Sequence, residues 1–402
     1  MAAGTVGAMG DLWMRDVRLP GQPATAVDIV VRDGRIATIG RAPNEWSGPV
    51  VAGGGRLVLP GLVDGHAHVD KTLWGLPWRP HSAGAGLAAL IDNERTGRRA
   101  LPPVTDRAAA LFDAYVTNGT TRIRTHVDVD TDQGISAVEG VLAAAARFAD
   151  HLDVEVVAFP QSGMLVAPGT AELMDAAIAA GAAIVGGIDP SGYDGDAVAH
   201  LDTIFAIADG HGCGVDVHLH DRGSLGRWEV GLIVERTRAL GMARSVTISH
   251  AFCLCDGDPS VDPLLEQMAD AGVGLATVAP GSVDPLPLER IIELGISLCL
   301  GQDGVRDLWS PWGDGDMLAR AGQMAWRAGY RRDEDIGRCV DIATSRGAAA
   351  LGIDDHLLAA GGRADLVLVA ASGPAEAAVV HPPRDLVVKA GVPVAGHLRP
   401  HP

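Results

Sequence analysis

The chain has 402 residues and a formal net charge of −18, with 47% apolar and 20% charged residues. Such an apolar share builds a large core and argues against a disordered chain. The negative balance argues against nucleic acid or an anionic membrane as partner, since both need a basic face.

The first ten residues lack the basic start and long apolar stretch of a signal peptide. No apolar run approaches the ~20 residues of a membrane span. The five cysteines (Cys213, Cys253, Cys255, Cys299 and Cys339) are odd in number and scattered, unlike a disulfide framework. A cytoplasmic protein is the expectation.

Residues 9–57 read as short strands and turns, with Asp33-Gly34 between two alternating runs as a hairpin signal. Ala364–Ala370 and Asp385–Gly391 look alike near the other end. The two segments, 1–57 and 358–402, are expected to form one small β-sandwich domain. Gly53-Gly54-Gly55 and Gly361-Gly362 lie near its boundaries.

Residues 58–357 alternate apolar strands with Ala/Leu-rich helical stretches such as 137–152, 171–180 and 197–209, which argues for a parallel sheet. Eight strand ends can be read, at His66/His68, Asp128, Gln161, Asp189, His218, His250, Ala279 and Asp303. Eight strands with intervening helices mean an α/β fold of the (β/α)8 TIM-barrel type, with its site at the C-terminal strand ends. A helical stretch over 332–352 is expected to close the barrel.

Along a strand, residues i and i+2 face the same way, so His66 and His68 aim both imidazoles at one spot. His218, His250 and Asp303 follow apolar runs and converge on the same mouth. Any one of these histidines alone is better explained by a hydrogen-bonded core position. Together they make a ligand set of the His, His, His, Asp type, with a position left for water whose pKa a divalent metal lowers. Asp303 can accept that water's proton, and His250 can hold the forming oxyanion.

With Pro60-Gly-Leu-Val-Asp-Gly-His-Ala-His68, these positions resemble the amidohydrolase superfamily, as does the closing Gly362-Arg-Ala-Asp-Leu-Val367. Arg124-Thr-His-Val-Asp128, Val156-Val-Ala-Phe-Pro-Gln161-Ser-Gly163 and Gly301-Gln-Asp-Gly-Val-Arg-Asp-Leu-Trp309 resemble its cytosine deaminase branch. The resemblance implies one Zn2+ or Fe2+ held by His66, His68, His218 and Asp303. It assigns His250 to the water, Gln161 to the substrate's carbonyl or ring edge, and Trp309 to the side of the ring. Two-metal relatives bridge their ions with a carboxylated lysine. This chain has only Lys71, just after the first strand, and Lys389, in the terminal sheet. One metal is expected.

Two positions depart from the branch. Where its deaminases place a Glu three residues after the strand-five His, to shuttle a proton, Asp221 stands here. Where a second Asp often follows the strand-eight Asp, Gly304 stands here. Both departures weigh against cytosine as the substrate. The expected activity is hydrolysis of a C–N bond in a small nitrogen heterocycle, by deamination, with Asp221 as the proton shuttle. Hydrolysis of an N-alkylamino triazine or cyclic amide is the alternative, and a non-catalytic binding barrel a more distant one. The sequence assigns no role to Lys71, His126 or His220, and a homo-oligomer is left open. Cys253-Leu-Cys255 has no second pair to complete a thiolate site.

Overall fold

Alternating side chains at the two ends of the chain build one sheet, and wholly apolar strands in the middle build another. In the computed structural model, which describes residues 10–401 apart from 41, 83 and 85, strand β1 (Leu12–Leu19) buries Leu12, Met14 and Val17 and exposes Arg15 and Asp16. It is followed by β2 (Gln22–Arg32), β3 (Arg35–Gly40) and β4 (Val50–Pro60). Strands β2 and β3 are antiparallel across Asp33-Gly34, whose φ angles of 49° and 71° are the left-handed pair that a two-residue hairpin demands.

The chain then enters the barrel through β5 (Leu62–Ala67), β6 (Thr120–Asp128), β7 (Asp153–Phe159), β8 (Ile184–Ile188), β9 (Gly214–His218), β10 (Val246–Ser249), β11 (Val273–Thr277) and β12 (Leu298–Leu300). It returns to the first sheet through β13 (Leu366–Val369), β14 (Arg384–Lys389) and β15 (Val392–Gly396). That sheet has the order β15-β14-β13-β4-β1-β2-β3. The small domain expected from the two termini is built on this continuous seven-stranded sheet, to which both ends of the chain contribute. Residues 361–362 lie along its β3 edge, with the Ile36 amide donating to Gly362 O at 2.9 Å and the Gly361 amide to Ile36 O at 2.8 Å. The enclosed core contains Leu12, Met14, Ile29, Val31, Leu366, Leu368 and Leu386.

The barrel strands pair in chain order, all parallel, and every residue of β5 and of β8 to β12 is buried. Helices such as Ser136–Arg147, Ala197–His211 and Gly223–Ala239 cover the outside, so the strands have no solvent face to keep polar. The ring closes where the Asp303 amide donates to His66 O at 2.9 Å and the His68 amide to Asp303 O at 3.2 Å. Gly301 permits this approach, because a Cβ there would strike the carbonyl and Cβ of His66.

Between β5 and β6 the chain makes a long excursion carrying the helix Leu87–Gly97, which returns over the barrel mouth. The stretch expected as helical over 332–352 is two helices, Asp333–Ile342 and Ser345–Ala350. They break at Thr344, whose hydroxyl turns back to donate to Val340 O at 2.8 Å. Lys389 fastens sheet to barrel, its ammonium reaching Asp153 and Asp365, each at 2.8 Å, and Thr121 O at 3.1 Å. Among the described residues, no helix is long and apolar enough to cross a membrane.

Candidate active site

The backbone turns left-handed where barrel strands end. Asp189 after β8, His250 after β10, Ala279 after β11 and Asp303 after β12 have φ angles of 32°, 67°, 46° and 64°. Non-glycine residues with positive φ cost free energy and gather where function requires them. Here the turns lie at the C-terminal ends of the strands, and His250 and Asp303 line the cavity there.

Four expected ligands meet in that mouth. His68 Nε2 lies 3.2 Å from His218 Nε2 and 3.3 Å from Asp303 Oδ1, and His66 Nε2 lies 3.7 Å from the same oxygen. Tetrahedral bonds of about 2.0–2.1 Å put ligand atoms about 3.3 Å apart, close to the separations of His68 Nε2 from His218 Nε2 and from Asp303 Oδ1. His66 Nε2 is buried and has no hydrogen-bond partner among the described residues, as a nitrogen kept for a metal would be. Burial, then the crowding of neighbouring imidazoles, holds His66 and His218 well below the usual histidine range. Burial likewise brings His68 down to about 4 and His250 to about 3. All four rings are thus neutral at pH 7, the form that ligates.

Beneath the ligands lies a polar layer that sequence reasoning did not reach. His66 Nδ1 shares a 2.9 Å hydrogen bond with Ser249 Oγ, which donates to Asp216 Oδ1 at 2.6 Å. Arg124 donates to the other Asp216 oxygen at 3.3 Å and also to Glu155. This chain fixes the His66 tautomer that leaves Nε2 free to coordinate. His126 joins the group, since it, His66, His68 and His218 each offer an atom within 4.8 Å of the others. Its Nε2 lies 3.4 Å from Asp216 Oδ1. Phe159 stacks on His218 with ring centroids 4.1 Å apart.

A second cluster surrounds Lys71. Its ammonium lies 3.1 Å from Asp128 Oδ1 and 3.4 Å from Glu94 Oε2 and donates to Gln161 Oε1. It sits 5.1 Å from the centre of the Trp309 ring, whose Nε1 donates to Glu94. Burial works to lower the Lys71 pKa, but Asp128, Glu94 and Asp70 outweigh it and hold the amine above its usual value. Gln161 and Trp309 therefore share one side of the mouth with a permanently charged lysine. Glu94 reaches it from the helix Leu87–Gly97, and nothing in the spacing of that helix marked it out.

Asp221 does not line the cavity. Its carboxylate accepts from the Gly192 amide at 2.8 Å and pairs with Glu229, and burial raises both acids. His220 lines the cavity instead, its ring 4.5 Å from that of His250. Asp189 Oδ2 lies 2.8 Å from His220 Nδ1, and Asp189 Oδ1 accepts from the His220 amide at 2.6 Å. Burial alone would lower the His220 pKa, but the Asp189 carboxylate raises it above the usual value. The sequence signal for Asp189 was a polar residue at the end of the fourth barrel strand.

The cavity over these groups has a volume of about 780 Å³. A barrel with imidazoles and a carboxylate converging at its C-terminal mouth, a group that could hold a metal ion, is the architecture of a barrel hydrolase. Residues 50–395 match the amidohydrolase family, and the chain belongs to it. It is an enzyme acting on non-peptide C–N bonds. The chain is 33% identical over 347 residues to the N-isopropylammelide isopropyl amidohydrolase of Pseudomonas sp. strain ADP, spanning 84% of this chain and 85% of that one. The crystal structure of N-isopropylammelide isopropylaminohydrolase from Burkholderia multivorans superposes with a TM-score of 0.91 at 43% identity, covering 96% of this chain and 99% of that one. That of 5-methylcytosine deaminase from Klebsiella pneumoniae, bound to 5-fluorocytosine, superposes with a TM-score of 0.83 at 26% identity, covering 96% and 97%.

Proposed function

We propose that the enzyme hydrolyses the bond between a nitrogen-heterocycle carbon and an exocyclic amine, with an N-alkylamino triazine preferred over an aminopyrimidine. The convergence of His66, His68, His218 and Asp303 beside the Lys71–Gln161 pair carries this reading. The preference for an alkylamine follows the 43% likeness to the isopropylaminohydrolase, against 26% for the deaminase. We assign the chemistry to the barrel, residues 58–357, and read the five cysteines, all free, as fitting a reducing, cytoplasmic setting.

His66, His68, His218 and Asp303 would hold one divalent ion, Zn2+ or Fe2+. A bound ion of this kind supplies a water acidified enough to act as nucleophile near neutral pH. Lys71, whose position Glu94 and Asp128 fix, donates to a ring oxygen together with the Gln161 amide. Trp309 flanks the ring. Asp303 takes the proton of the attacking water, and neutral His250 holds the oxygen that arrives at the ring carbon. His220, whose proton affinity the Asp189 carboxylate raises, gives a proton to the departing nitrogen in the place that sequence reasoning gave to Asp221. The C–N bond breaks and the amine leaves with the His220 proton; the proton still on the added oxygen passes to the ring nitrogen, so that the ring carbon becomes a carbonyl, and the proton held by Asp303 returns through solvent to His220.

The test is amine release from a panel of N-alkylamino triazines, aminotriazines and aminopyrimidines by zinc- and iron-loaded enzyme. Alkylamine release from an oxo-triazine, with kcat/KM at least tenfold above ammonia release from cytosine, is expected. Ammonia from pyrimidines as the dominant product would overturn the preference, and no C–N cleavage with any ring would overturn the activity.

A further inference from the structure

Directly after Asp303 comes a glycine whose missing side chain is replaced by a carboxylate from further along the chain. Gly304 does not adopt a left-handed φ, so its backbone would accept alanine, but a Cβ there would fall on Asp307 Oδ2. Asp307 is only 6% exposed. Its Oδ1 is pinned by the amides of Trp309 at 2.8 Å and Ser310 at 2.7 Å. Its Oδ2 accepts a hydrogen bond from no described residue, and Asp307 lines the cavity beside Asp303, Gly304, Lys71 and Trp309.

Oδ2 is not sealed into the protein but faces the cavity, so a charged acceptor without a protein donor is presented to whatever enters. The Lys71 ammonium is turned towards Gln161, Glu94 and Asp128 and makes no ion pair with Asp307. A substrate N–H entering the cavity would meet this acceptor. With Lys71 and Gln161 able to serve a ring oxygen, the mouth offers donors for a C=O and, from Asp307, an acceptor for an N–H. This is the pattern of a ring lactam, and a fully aromatic aminoheterocycle without a ring N–H does not match it.

We propose that Asp307 Oδ2 accepts a hydrogen bond from a ring N–H of the substrate, and that Gly304 is a specificity-determining residue because its missing Cβ admits that carboxylate. The substrate class is an oxo-heterocycle carrying –CO–NH– in the ring. This rests on the proposed heterocycle hydrolysis, but it is tested by binding and not by turnover.

Zinc-loaded wild type, Asp307→Asn and Gly304→Ala are titrated calorimetrically with 1,3,5-triazine-2,4,6-trione and with its N,N′,N″-trimethyl derivative, which has no N–H. Asparagine keeps Oδ1 for the Trp309 and Ser310 amides and puts a donor where Oδ2 was, while Gly304→Ala displaces the carboxylate without removing it. Melting temperatures check that each variant is folded, and the second variant carries the test if the first is not. The expected result is that the trione binds both variants about ten- to a hundredfold more weakly, the range of one charged hydrogen bond. The trimethyl compound should bind all three proteins alike. Trione affinities within twofold of wild type, an equal loss for both compounds, or no trione binding by wild type would each overturn the proposal. Retained trione binding without turnover of any amine would sink the proposed reaction and leave the lactam site standing.

Discussion

Replacing Lys71 by methionine, which keeps the stem and removes the charge, should cost both stability and turnover. The ammonium lies 3.1 Å from Asp128 and 3.4 Å from Glu94, and all three side chains are at most 5% exposed. Removing one member of a buried ion pair typically costs about 3–5 kcal/mol, because the remaining charge keeps its desolvation penalty. At about 2.1 cal/mol/K per residue, the unfolding entropy of a 402-residue chain is about 0.8 kcal/mol/K, so the melting temperature should fall by about 4–6 °C. The penalty also has a sign in pH. Burial already raises Asp128 to about 7 even with Lys71 opposing it. Without Lys71 that carboxyl, raised still further above its unfolded value, should be protonated near neutrality. Its contribution is favourable below the unfolded pKa of about 3.9 and is lost as pH rises through the folded one, so the variant's deficit should be smallest at pH 5 and largest at pH 9. Loss of the donor to the substrate should lower kcat/KM by about ten- to a hundredfold. Scanning calorimetry across pH and steady-state kinetics check both. A variant that melts within 1 °C of wild type at pH 9 and keeps kcat/KM within twofold would refute this account of Lys71.

Asp189→Asn removes the group that raises His220, so the alkaline limb of kcat should move to lower pH, while His220→Asn should abolish that limb and cost about 10²-fold or more. A pH profile unchanged in both would mean that the proton comes from elsewhere. Asp221→Asn, whose carboxylate faces Gly192 and Glu229 outside the cavity, should leave kcat/KM within about threefold. A hundredfold loss would restore Asp221 as the shuttle. Ser249→Ala cuts the link from His66 to Asp216 and should weaken metal binding about 10–100-fold in chelator competition, with little change in melting temperature of the metal-free protein.

The eight strand ends were legible because period-two alternation fixes where a side chain points and an apolar run fixes where a strand stops. The same logic brings His66, His68, His218, His250 and Asp303 to one mouth. It could not place Asp221, because past the end of β9 the backbone no longer alternates, and His220 rather than Asp221 turns to the cavity. Nor could it find Glu94, which arrives from an excursion whose path is set by packing. Asp189 was visible as a strand end but not as the partner of His220, since that pairing spans two strands. The left-handed turns at His250 and Asp303 leave no mark in residue type. In the terminal domain, hairpin and alternation mark the strands, but the order in which strands from the two termini interleave is set by long-range pairing.

The most direct test of the central claim is the metal content of the purified enzyme, read by elemental analysis together with amine release before and after chelation. One equivalent of zinc or iron per chain should be found, lost along with activity on chelation and regained with it on adding back one equivalent. A His66→Ala, Asp303→Asn double variant should stay folded and bind less than a tenth of an equivalent. Full activity in metal-stripped protein, or stoichiometric metal in the double variant, would contradict the account.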